Sequence, residues 1–130
     1  MGTENTYESG GRTKFLCTVF FNEKKLAALS KRESDALTAE SLAYNKVLRK
    51  KGQFIVSQAL QPVRVASTVR IKKGKVTVID GPFAETKEQL GGFMLIEARD
   101  LNDAIRVASR IPPGRLGCVE VRPVLELTRS

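Results

Sequence analysis

The sequence predicts an α+β fold, one sheet with helices on one face, in a single domain. Three observations lead there. Elements alternate as β-α-β, a hairpin, then β-α-β, without the long series of βαβ units that a parallel sheet needs. Only two stretches carry helical periodicity, while six short runs are rich in apolar, β-branched or aromatic residues. The chain has 130 residues, 42% apolar and 28% charged, which suits one core and is short for two.

Residues 1–12 are polar, Gly-rich and aperiodic, and read as a disordered tail before a domain spanning 13–130. The match of Met1-Gly2 and Thr6 to a myristoylation pattern reads as chance. Phe15 to Phe21 is a near-continuous apolar run, as for a strand buried on both faces. Ser30 with Glu33 forms a capping box for a helix with the stripe Ala36, Leu37, Ala43, Tyr44, Val47 and Leu48. Arg49-Lys50-Lys51 suit that helix's negative end, and Gly52 its left-handed cap. Phe54-Ile55-Val56 opens a strand that ends near Leu60-Gln61-Pro62.

Val65 to Ile71 alternates apolar with polar, turns at Lys73-Gly74 and returns through Val76 to Ile79 as a hairpin. A loop from Asp80 to Leu90 precedes the strand Phe93 to Ile96, and Ala84 to Leu90 has room for a short helix. Asp100 caps a second helix with Leu101, Ala104, Ile105, Ala108 and Ile111 inward, ended by Pro112-Pro113-Gly114. The last strand runs from Cys118 to Leu125, with Val119 and Val121 inward, Glu120 and Arg122 outward, and Pro123 marking an edge. Two helices cover one face of such a sheet. The apolar character of the first and Phe93 strands on both sides therefore calls for a partner, most simply a second copy in an isologous homodimer.

Composition removes several functions. Without histidine, no Ser-His-Asp or Cys-His nucleophile and no His-based metal site can be built. Two cysteines, Cys17 and Cys118, cannot close a four-cysteine zinc site, and they suit a reducing cytoplasm as buried thiols. No metal or cofactor is expected. No signal peptide or membrane-spanning run is present in the sequence. The net charge of +8 is concentrated: Ser41 to Ile79 holds nine Lys or Arg and no acid, leaving thirteen bases against fourteen acids elsewhere. Without interleaved aromatics this reads as a solvated helix end and a basic hairpin face, and nucleic acid ranks last among partners.

The most informative stretch is Asp80-Gly81-Pro82-Phe83-Ala84-Glu85-Thr86-Lys87-Glu88-Gln89-Leu90-Gly91-Gly92-Phe93. Asp-Gly-Pro breaks the chain rigidly after a strand, and Gly91-Gly92 permits a turn or a close backbone approach. This stretch closely resembles the signature of the DGPF (YCII-related) family of small bacterial proteins. The likeness continues through Ala59-Leu60-Gln61-Pro62, Thr68-Val69-Arg70 and Gly117-Cys118-Val119-Glu120-Val121-Arg122-Pro123, covering about residues 14–127. The resemblance implies a ferredoxin-like domain with an inserted hairpin, whose strand order would put Cys17 and Cys118 on neighbouring strands, paired into a dimeric α+β barrel, in a bacterial cytoplasmic protein often encoded beside an extracytoplasmic-function sigma factor. Members often carry a carboxylate where this chain has Gln58, and an acidic pair where it has Asn22-Glu23. The His-Asp dyad attributed to related YCII-type proteins, a dehydrochlorinase among them, has no counterpart here.

Asp80 is the candidate catalytic group, with a structural alternative in which it binds amides of its own loop or Thr86. Tyr44, Arg70, Asp80, Thr86 and Lys87 are the ligand-binding candidates. Tyr44 reads as a core residue whose hydroxyl reaches an edge or a pocket, and Arg70 as a cleft anion contact or a surface residue. Thr86 or Lys87 would meet an anion at the start of the short helix, where Glu85 and Glu88 would be neighbours. Phe83 and Phe93 read as core or dimer-interface residues. The leading functional reading is a homodimer that binds a small molecule in a cleft near the Asp80–Lys87 loop. The alternative is a non-catalytic accessory or regulatory protein linked to sigma-factor signalling.

Overall fold

A computed structural model describes residues 11–127, so residues 1–10 of the expected tail, with its myristoylation match, lie outside the described residues, as do 128–130. Arg12 donates from its guanidinium to the Gly52 carbonyl at 3.0 Å.

Strand β1 (Thr13–Phe21) leads into a short helix α1 (Glu23–Ala27) and then the long helix α2 (Lys31–Lys50). β2 (Phe54–Ala59) follows, then β3 (Ser67–Lys72) and β4 (Lys75–Asp80), β5 (Gln89–Ala98), α3 (Leu101–Ala108) and β6 (Gly117–Pro123). Two single-turn helices, Val63–Val65 and Pro112–Leu116, sit in the connections. The α+β class holds. Helix α1 was not expected from the sequence, although Asn22 caps it by accepting from the Lys24 N–H at 2.8 Å. The capping box of Ser30 and Glu33 is formed, and Asp100 accepts from the Asp103 N–H at 2.8 Å.

The main sheet has the order β2-β5-β1-β6, with every neighbouring pair antiparallel. β6 is an edge, as Pro123 suggested. β3 and β4 pair only with each other, around a Lys73-Gly74 turn whose residues have φ of 51° and 79°. That is the primed geometry a two-residue hairpin turn requires.

β1 alternates strictly: Thr13, Phe15, Cys17, Val19 and Phe21 are buried, and the residues between them half-buried. Cross-strand partners share a face, so Ile96, opposite Phe15, and Met94, opposite Cys17, join the buried side. Leu48 of α2 and Ala104, Val107 and Ala108 of α3, followed by Ile111, complete that core. The other face carries no helix. Leu16, Phe20, Phe93, Leu95 and Val56 lie on it half-buried, with Glu97, Glu120 and Arg122 toward its margins.

Both helical stripes need correction. On α2, Ala36, Ala43 and Val47 are exposed, and Leu48 is the only fully buried residue. On α3, Leu101 and Ile105 are half exposed, while Asp103, Ala104, Val107 and Ala108 face inward. The two alanines let α3 approach the sheet closely, which turns the larger Leu101 and Ile105 onto its outer flank.

Asp103 is the polar hub of this packing, its side chain only 10% exposed. It accepts from the Gln53 amide at 3.2 Å, the Arg99 N–H at 3.1 Å and the Arg106 guanidinium at 2.9 Å. Burial pushes its carboxyl up, but the Arg99 amide and guanidinium, with the Arg106 charge, outweigh burial and hold it below the usual aspartate value. Asp103→Asn is therefore expected to cost about 1–2 kcal/mol near neutral pH, because Gln53 and Arg99 lose a charged acceptor. A depressed carboxyl stabilises the fold above its unfolded value of about 4 and loses that contribution as pH falls through the folded value. Melting midpoints of wild type and variant should differ at neutral pH and converge in acid.

Candidate functional site

The flank of α2 beside the sheet is largely polar, with Ser41 and Asn45 half-buried and Ser34 and Thr38 exposed. Ser34, Thr38, Ser41 and Asn45 recur at steps of four, three and four, which places them along one side of the helix. Ser41 donates its hydroxyl to the Leu37 carbonyl at 2.9 Å. The side chains of Ser34, Thr38 and Asn45 have no hydrogen-bond partner among the described residues. A helix with such a seam keeps it wetted: Ser34 and Thr38 stay exposed, since closing dry onto apolar strands would cost their hydroxyls their water. It stands off instead, over a cavity of about 460 Å³.

Val19, Phe21 and Met94 form the apolar floor of the cavity, and Ser57 of β2 adds a hydroxyl. Leu26 of α1 and the Ile111–Pro113 connection line it as well. The floor is shaped by glycine. β1 and β5 shift register between Val19 and Phe20, so Gly91 is the extra residue of a β-bulge. A Cβ on Gly91 would overlap the Phe21 ring, and one on Gly92 would lie 2.8 Å from the Gln58 carbonyl oxygen. The close approach expected of Gly91-Gly92 is present and brings β2 and β5 together beneath the cavity.

No ionisable side chain lines this cavity among the described residues. Three charged groups on the surrounding elements are committed elsewhere. The Glu23 carboxylate accepts from the Val63 N–H at 2.9 Å, and Glu40 and Arg115 close a two-pronged ion pair at 2.8 and 3.2 Å between α2 and the Pro112–Leu116 turn.

The residues singled out in the sequence lie away from this lining. Tyr44 is half-buried against the core, and its hydroxyl donates to the Val107 carbonyl at 2.7 Å, tying α2 to α3. Burial pushes its phenol up. Arg70 is exposed on β3 opposite Thr77, and Asp80 is exposed at the end of β4 opposite Ser67, so the two share one hairpin but not one cluster.

The Asp80 carboxylate accepts no hydrogen bond among the described residues, contrary to the expected anchoring by its own amides or Thr86. The loop is held by its neighbours. The Gly81 N–H donates to the Ala66 carbonyl at 2.6 Å, and Thr68 donates its hydroxyl to the Gly81 carbonyl at 2.8 Å. Thr86 spends its hydroxyl on the Glu88 carbonyl at 2.6 Å. The short helix expected over Ala84 to Leu90 is absent, because Gln89 and Leu90 are drawn into β5 opposite Phe21 and Phe20. With it goes the helix start at which Thr86 or Lys87 was to meet an anion; both are exposed. Phe83, expected in the core or an interface, is 78% exposed.

The cysteines do lie on paired strands and are free, but only Cys17 is buried. Burial pushes its thiol up to about 11, so it stays protonated. Cys118 is exposed on the edge strand, on the helix-free face, and its thiol donates to the Glu88 carboxylate at 3.5 Å. Slight burial and then Glu88 push that thiol up as well.

A protein-family model, the YCII-related domain, matches residues 13–128. The chain belongs to the YCII-related domain family. It is also 35% identical, over 105 residues, to an uncharacterized protein of Rhizobium meliloti (strain 1021), covering 79% of this chain and 85% of that one. The resemblance first drawn from the DGPF stretch is therefore correct. Two of the YCII-related stretches quoted for it, Ala59-Leu60 and Gly91-Gly92-Phe93, line the cavity, whereas Asp80 to Lys87 do not. Sequence reading missed the seam on α2, although four uncharged polar residues at helical spacing on a face meant for a sheet were a visible signal.

Because the YCII-related loop is locked by Thr68 and not by Asp80, two substitutions should separate. Asp80→Ala is expected to change stability by less than about 0.5 kcal/mol, as for an exposed side chain without partners. Thr68→Val should cost about 1 kcal/mol through the lost bond to Gly81. Urea unfolding of both variants checks the order, and a larger loss for Asp80→Ala would reverse this assignment.

Proposed function

We propose that the protein is a homodimeric small-molecule-binding member of its family, and that its site is the cavity beneath α2. The cavity itself carries this reading. Its volume lies in the range of about 300–1,000 Å³ usual for small-molecule sites, and its walls combine an apolar floor with a few convergent polar groups. The lining offers hydrogen bonds but no acid or base, which favours binding over turnover. The site then differs from a cleft centred on Asp80 to Lys87, and the signature stretch contributes through its last residues.

The dimeric reading rests on the helix-free face. Leu16, Phe20, Phe93, Leu95 and Val56 form an apolar surface at the centre of the sheet. Two such faces packed together form the barrel of a ferredoxin-like dimer, in keeping with the strand order β2-β5-β1-β6. A stable pair of this kind buries more than about 1,000 Å². No helix among the described residues is long and apolar enough to cross a membrane.

A thermal-shift screen of small neutral compounds against the wild type should give hits. Thr38→Phe, which fills the cavity from the seam, should remove those hits without lowering the melting midpoint. Hits that survive Thr38→Phe would place binding elsewhere. Light scattering should report twice the 14.3 kDa chain mass for the wild type. Leu95→Arg, which puts a charge at the centre of the helix-free face, should reduce it to one chain mass.

A further inference from the structure

The seam on α2 and the floor beneath it select between classes of ligand. From Ser34 to Asn45 the seam runs eleven residues, about 16 Å of helix at 1.5 Å per residue. Along it lie hydroxyl and amide groups of Ser34, Thr38 and Asn45 that no group among the described residues claims, the first two open to water, and the Ser57 hydroxyl lines the same cavity. Under it lies the apolar floor of Val19, Phe21 and Met94. A ligand without polar groups would strip water from the seam and leave its groups unpaired, which costs affinity. A ligand bearing a charge would lose part of its hydration without an opposite charge in the lining, since no lining side chain among the described residues is ionisable.

We propose that the cavity takes an elongated, uncharged molecule with an apolar body and one edge of hydroxyl, carbonyl or amide groups, the body on the sheet and the edge on the α2 seam. This rests on the reading of the cavity as a binding site and adds the class of ligand to it. Ligand selection is then set by α2, with Thr38 and Asn45 as its specificity-determining residues.

Four probes of one ring system test the class by titration calorimetry: a dihydroxynaphthalene, naphthalene, naphthalene sulfonate and naphthylmethylammonium. The diol should bind several-fold more tightly than naphthalene, and the sulfonate and ammonium probes on the order of tenfold or more below the diol, as unpaired charges. Thr38→Val keeps the side-chain shape and Asn45→Leu nearly so. Each should bring the diol's affinity toward that of naphthalene while leaving naphthalene's own affinity equal or higher. A sulfonate or ammonium probe that binds as tightly as the diol, in competition with it, would overturn the uncharged class while leaving a binding site in place. A diol advantage unchanged in both variants would overturn the role of the seam. If the wild type binds none of the four, the reading of the cavity as a binding site falls with the ligand class.

Discussion

The pairing of β1 with β5 is the constraint on which the rest of the molecule depends. Opposite Phe15 and Cys17 it places Ile96 and Met94, and these four side chains form the floor on which both longer helices rest. The same ladder fixes which side chains are left over. With a period of two, every residue between those buried on β1 must emerge on the helix-free face, so Leu16 and Phe20 have no other place to go. A slip of one residue would exchange the two faces completely. The single bulge at Gly91 is tolerated because it falls at the end of the ladder, where it bends β5 over Phe21 and opens room under α2.

Much of this was readable in the residues, for reasons that differ between elements. The strands were legible because apolar runs and turn residues coincide: Lys73-Gly74 determines a hairpin whatever surrounds it. The caps were legible because Ser30, Glu33 and Asp100 act within one turn of themselves. The helix faces were not. A stripe of apolar residues says that a helix packs, but its rotation depends on which residues approach the sheet most closely, and on α3 the alanines decided that against Leu101 and Ile105. The loop from Asp80 to Lys87 was misread for a related reason. Local propensity allowed a helix, and the tertiary pull of β1 on Gln89 and Leu90 overrode it.

The site was the least legible part, since its candidates were sought among ionisable residues. Asp80, Arg70, Thr86 and Lys87 carry familiar chemistry but are exposed and lie outside the cavity lining. The cavity joins an apolar floor to serine, threonine and asparagine, and groups outside its lining tie the surrounding elements together: the Tyr44 hydroxyl on Val107, the Glu40 pair with Arg115, and Glu23 on the Val63 amide. The selectivity proposed for it rests on what desolvation does to each class of ligand, and so on the absence of charge as much as on any contact.

The hairpin of β3 and β4 stands apart from the main sheet with Val69, Ile71, Val76 and Val78 on one face, each between 55% and 74% exposed. Short, β-branched and uncovered, it has the makeup of a segment that self-associates into extended sheets. Its cations sit where they oppose this: Arg70, Lys72 and Lys75 on the reverse face and Lys73 in the turn. Four of the nine cations between Ser41 and Ile79 thus flank this apolar strand pair, the arrangement by which like charges give protection against edge-to-edge pairing. Such protection works through repulsion over a Debye length of about 8 Å at physiological ionic strength, so concentrated salt weakens it while strengthening the apolar attraction it holds in check.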